Sequence, residues 1–153
     1  MARIETSIEI NALPQNVWSL ITWDRVPEWY DSIKKVTWTS KGRMEVGATV
    51  HVLSDIAGVR GEWDAEITEF ADNQSVSWRT TSGNPTIIYH ASVEPSKTGT
   101  RVTTAFDYEL PYSILGKIID KLRVHKAMER EADKALQKMK NVAEGSESSE
   151  GRV

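Results

Sequence analysis

Cysteine is absent from the 153 residues of this chain. That excludes disulfides, thiolate metal sites and a thiol nucleophile, and it agrees with a reducing compartment. Long apolar runs are missing as well. No stretch approaches the roughly 18 consecutive apolar residues of a membrane span. The opening MARIETSIEI has no apolar core of signal-peptide length. The expected setting is the cytoplasm. Excess positive charge is lacking too: the formal net charge is -3, which argues against a nucleic-acid footprint. The glycines are scattered, with no GxGxxG, Walker-type or GxSxG run. His51, His90 and His125 have no close ligand spacing, and there is no HExxH. No metal and no cofactor are expected.

Tryptophan, by contrast, is plentiful: six residues, beside four tyrosines and only two phenylalanines. Rings of this kind either pack a core or line a ligand pocket. The strands say where they point. Arg3 to Ile10 alternates strictly, with Ile4, Thr6, Ile8 and Ile10 on one face, as a half-buried strand requires. Pro14 suits the first turn of a helix that Asn11 or nearby backbone could cap, with Val17, Trp18, Leu20 and Ile21 as its core face. A second short helix is predicted near Asp24 to Tyr30, with Asp24 as N-cap. From Lys34 to Glu109 the chain reads as strands joined by short turns: 36–40, 48–54, 60–70, 75–80, 86–94 and 101–109. Short loops favour hairpins, hence an antiparallel meander. Its inward face should carry Trp63, Trp78, Tyr89, Phe106 and Tyr108.

The stretch from Pro111 to Val142 reads as one long amphipathic helix. Leu115, Ile118, Ile119, Leu122, Met128, Ala132, Leu136 and Met139 recur with a period near 3.6. His125 falls near the middle of that arc. There it either contacts a ligand or is satisfied by a strand group. Glu129 sits one turn later, at the arc's edge. Lys117, Lys121, Arg123 and Lys126 make the start of the helix basic, as in a solvated face or a segment that docks on an anionic membrane. From residue 144 to 153 the sequence is acidic and rich in Ser and Gly, and a disordered tail is expected. Residues 1–143 should form a single α+β domain of two layers.

Several segments carry a family likeness. Ile8 to Trp18 resembles the opening strand and helix start of the START and pollen-allergen superfamily, also called SRPBCC. Asp24 to Tyr30, Ala65 to Phe70 with Ser77 to Arg79, and Gly99 to Thr103 resemble later segments of that family. Tyr108 to Pro111 and Leu115 to Leu122 are similar to the last strand and helix of its polyketide cyclase/dehydrase-like branch. The resemblance spans residues 3–142. It implies a helix-grip fold: a curved antiparallel sheet of about seven strands wrapped around a long C-terminal helix, with two short helices after the first strand. It also implies a cavity for an apolar small molecule or lipid between sheet and helix. Trp63, Trp78, Tyr89, Phe106, Tyr108, Leu122 and His125 are the expected lining. Tyr89, Tyr108 and His125 are the polar groups that would orient a guest. No catalytic residue is carried over. A cyclase or dehydratase would need His125 with Tyr89 or Tyr108 inside the cavity. A regulatory module that docks on a membrane or partner through the basic helix start is a further reading. A monomer or weak dimer is expected.

Overall fold

The structure, a computed structural model, describes residues 1–110 and 121–151. The predicted helix start, with Leu115, Lys117, Ile118 and Ile119, lies outside the described residues. The chain begins with β1 (Ala2–Ile10), α1 (Pro14–Trp18) and α2 (Val26–Trp29). Six strands follow: β2 (Ile33–Trp38), β3 (Thr49–Ile56), β4 (Val59–Ala71), β5 (Ser75–Gly83), β6 (Thr86–Ser96) and β7 (Gly99–Glu109). The last element is α3 (Lys121–Gly151). All seven strands join one sheet in the order β1-β7-β6-β5-β4-β3-β2, and every neighbouring pair is antiparallel. This is the expected helix-grip arrangement.

Alternation sets the sheet's two faces. Along β4, Trp63, Ala65 and Ile67 are buried between more exposed neighbours, and along β6 Ile87, Tyr89, Ala91 and Val93 are buried. A strand turns successive side chains to opposite faces, so these residues face one core. The first strand pairs with the last, from Ala2 opposite Tyr108 to Ile10 opposite Thr100. That closes the order and leaves β1 and β2 at the edges. Helix α3 packs against β1, α1 and α2. Thr6 Oγ1 donates to Asp133 at 2.6 Å, and the Asn11 backbone N–H donates to Glu144 at 2.9 Å.

Three local expectations change. Asn11 does not cap α1; Leu13 holds the N-cap place without a side-chain bond, and Pro14 supplies the fixed φ. Asp24 does not cap α2 either. Its carboxylate accepts the Trp38 indole N–H at 2.6 Å, and Arg25 holds the N-cap place. Asp24 lies one residue before the N-cap place, with its carboxylate turned to the indole across the chain. Finally, helix α3 does not stop at Val142 but runs to Gly151. Ala143 is buried, and Glu144 pairs with Lys140 one turn back while holding Asn11. Those contacts anchor the helix up to Glu144.

Candidate ligand cavity

An aromatic ladder crosses the inner face of the sheet. Trp78 and Tyr89 stand directly opposite on β5 and β6, and Tyr89 and Phe106 on β6 and β7. Directly opposed side chains meet across strands, and here they stack: Trp78 on Tyr89 at 4.9 Å and 17°, Tyr89 on Phe106 at 6.1 Å and 24°. Trp63 extends the row by stacking on Trp78 at 5.4 Å and 18°. Tyr108 continues it beyond Phe106 at 6.3 Å, and His125 of α3 closes it at 5.8 Å from Tyr108. The Trp63 end depends on Gly83, its register partner. Gly83 has φ +83, and a Cβ there would lie 2.2 Å from the Glu62 carbonyl oxygen and 2.7 Å from Trp63 Cα. Only glycine fits so close an approach in that conformation.

The ladder is one wall of a cavity of about 70 Å³. Trp63, Trp78, Tyr89 and Phe106 line it. The opposite walls are Trp23 with Val26, Trp29 and Tyr30 at α2, Ile33 and Val36 of β2, Met44, and Met128 and Glu131 of α3. A water molecule needs about 10–15 Å³, so the space holds roughly five. That is well below the roughly 300–1,000 Å³ of drug-sized sites. The rings therefore fill much of the volume that their number suggested would be open. A second, polar hollow of about 210 Å³ adjoins it, lined by Asp31, Lys34, Asp55, Lys134 and Ala135. Ser32 and Glu131 line both spaces and so mark the junction between them.

Three expected lining residues lie elsewhere. Leu122 is 60% exposed. Its place follows from the helix phase. The buried residues of α3 are Val124, Met128, Ala132, Ala135, Leu136, Met139 and Ala143. At about 100° per residue they span an arc of about 120°, and Leu122 lies about 40° beyond its edge. Tyr108 is buried but is not in the cavity wall. His125 is on the arc, yet its side chain is 27% exposed and lies at the ladder's end. Tyr108 Oη and His125 Nδ1 share a hydrogen bond of 2.8 Å, while Nε2 faces Glu129 at 3.2 Å. Burial, with the Glu129 charge nearby, pushes the Tyr108 phenol above its ordinary value. This trio is a chain of proton-carrying groups outside the cavity. An acid–base reaction inside the cavity could not use it directly.

The polar groups that the cavity does hold are Tyr30, Tyr89, Ser32 and Glu131. Burial drives both phenols far above their ordinary range; the charge of Glu131 adds to the effect on Tyr30. The Tyr89 hydroxyl is engaged with Thr104. The Tyr30 hydroxyl has no hydrogen-bond partner among the described residues, and no side-chain polar atom there is both fully buried and unpaired. Glu131 Oε1 accepts the Ala57 backbone N–H at 2.7 Å. Ala57 and Gly58 form the two-residue tip of the β3–β4 hairpin with φ 53 and 81, as a type I′ turn demands. Glu131 thus ties that hairpin to the helix at the cavity rim.

Glu131 had a readable signal. Val124, Met128, Glu131, Ala135 and Met139 recur at steps of four and three, so a lone carboxylate interrupts the buried stripe. Trp23, Trp29 and Tyr30 carried no such signal, because a four-residue helix and its flanks are too short to show a period. Among the described residues no helix is long and apolar enough to cross a membrane, and no group of His, Asp or Glu could hold a metal ion.

A family model for polyketide cyclase / dehydrase and lipid transport matches residues 1–144. An uncharacterised 17.2 kDa protein of Streptomyces lincolnensis is 24% identical over 127 residues, covering 80% of this chain and 78% of that protein. The crystal structure of TTHA0849 from Thermus thermophilus superposes with a TM-score of 0.78 at 19% identity, covering 95% of this chain and 99% of that one. A START superfamily protein from Mycobacterium smegmatis superposes at 0.70 with 17% identity, covering 94% and 97%. At these identities the structural likenesses speak for the fold.

Proposed function

The chain belongs to the polyketide cyclase / dehydrase and lipid transport family, and from that premise we propose that it binds or carries an apolar small molecule or lipid in the cavity between sheet and helix. One observation carries the reading. The cavity wall includes four of the six tryptophans, and among the described residues Glu131 is its single charged member. Burial of a guest's apolar surface there is worth about 25 cal/mol per Å². A guest larger than the present space needs side chains to move, and Met44 and Met128 are the flexible members of the wall. A cyclase or dehydratase reading has less support, since Tyr108 and His125 stand outside the cavity.

Naphthalene is a suitable probe, because a ring against the wall quenches the tryptophans that line it. Saturable quenching is expected, together with an apolar molecule carried through native purification and seen by mass spectrometry. Unquenched emission up to the probe's solubility limit, with nothing co-purifying, sinks the proposal.

A further inference from the structure

The junction of the two hollows says more about the guest, provided that the apolar-ligand reading above holds. Ser32 and Glu131 line both spaces, and Tyr30 adds a phenol on the cavity side. Tyr30 offers an O–H with no partner among the described residues. Glu131 offers carboxylate oxygen, only one of whose two atoms is engaged with the Ala57 N–H. The two groups are close enough for the Glu131 charge to act on the Tyr30 phenol. The phenol can donate and accept, whereas the carboxylate only accepts.

The common polar head groups differ in how they meet such a pair. A carboxylate can accept from Tyr30, but it brings a second negative charge beside Glu131. An ammonium can donate to Glu131 and to the Tyr30 oxygen, but it leaves the Tyr30 proton without an acceptor on the guest. A hydrocarbon satisfies neither, and ordering it there displaces the water that would. A hydroxyl does both: its oxygen accepts from Tyr30 and its proton goes to Glu131. We infer that the cavity is built for a neutral apolar alcohol, bound body first against the aromatic ladder with its hydroxyl between Tyr30 and Glu131. The adjoining hollow, with Asp31, Lys34, Asp55 and Lys134, gives the hydroxyl end a route to water.

The test uses the full chain and four probes of one shape: naphthalene and its hydroxymethyl, carboxylate and aminomethyl derivatives. Binding is followed by tryptophan quenching and calorimetry at neutral pH. The alcohol should bind about tenfold tighter than naphthalene and tighter still than the carboxylate. Tyr30→Phe should remove about five- to tenfold of the alcohol's affinity, the worth of one hydrogen bond, and leave naphthalene within about twofold. Glu131→Gln keeps an acceptor for Ala57 and removes the charge, so carboxylate binding should rise about fivefold or more. If naphthalene does not bind at all, the apolar-ligand reading fails. If it binds and the alcohol is no tighter, or the carboxylate or the aminomethyl probe is the tightest of the four, the hydroxyl inference alone is overturned. An alcohol preference that survives Tyr30→Phe overturns it too.

Discussion

His51 stands between two carboxylates on the outer face of the sheet, with Nδ1 2.7 Å from Asp64 and Nε2 2.6 Å from Glu62. Its own register partner is Asp64, and Ser82 Oγ donates to the other oxygen of that carboxylate at 2.5 Å. The bond to Asp64, then that to Glu62, holds the imidazole above its ordinary 6.5. Ser82 first, then His51, holds Asp64 below its ordinary 3.8. A raised histidine contributes stability that is complete below the unfolded value and fades as pH climbs through the folded one. A depressed carboxylate contributes above its unfolded value and fades as pH falls through the folded one. The cluster therefore supports the fold most between pH 3.8 and 6.5. Urea midpoints of the wild type and His51→Gln should differ most near pH 5 and converge above neutrality. A gap that widens on going alkaline contradicts the assignment. The effect should be small, because the cluster is solvated and salt screens it.

Among the elements, α3 shows best what a pattern conveys and where it misleads. Its residues Met128, Ala132, Leu136 and Met139 were correctly placed by their period, and all are buried. Leu122 was grouped with them only because Leu115, Ile118 and Ile119 share its phase. At about 100° per residue, the sequence phase of that earlier set differs from that of the set beginning at Val124. A period reports spacing, whereas the direction of the arc depends on what it packs against. Met139→Ala should then cost about 2–5 kcal/mol, since Met139 is fully buried. Leu122→Ala should stay within about 0.5 kcal/mol. Chemical denaturation of the two variants checks both numbers, and equal losses would mean the helix sits in the other phase. The strands were more legible. Alternation in β4 to β7 set Trp63, Trp78, Tyr89, Phe106 and Tyr108 on one side, and their rings do form one row. What alternation could not tell was that the row would stack on itself and leave the polar contacts of the cavity to α2 and α3.

At the scale of the whole molecule, sheet and helix are held together by few polar links and one shared core. A guest between the layers adds to that core without needing new bonds elsewhere. A ligand present at about 100 times its Kd should raise stability by about 2.7 kcal/mol, or roughly 5–10 °C in Tm for a chain of this size. A melting scan with the hydroxymethyl probe measures this directly. A tightly bound probe that leaves Tm unchanged would place its site outside the native core.

The two sides of the cavity differ as mechanical parts. The ladder is a stiff plate: its rings are pressed together at 4.9–6.3 Å on four strands that hydrogen bonds keep in register. The facing side is compliant, made of a four-residue helix, an edge strand and two methionines. Any expansion must come from that side alone. For a guest bound as proposed, the plate would set its flatness and the yielding side only its thickness.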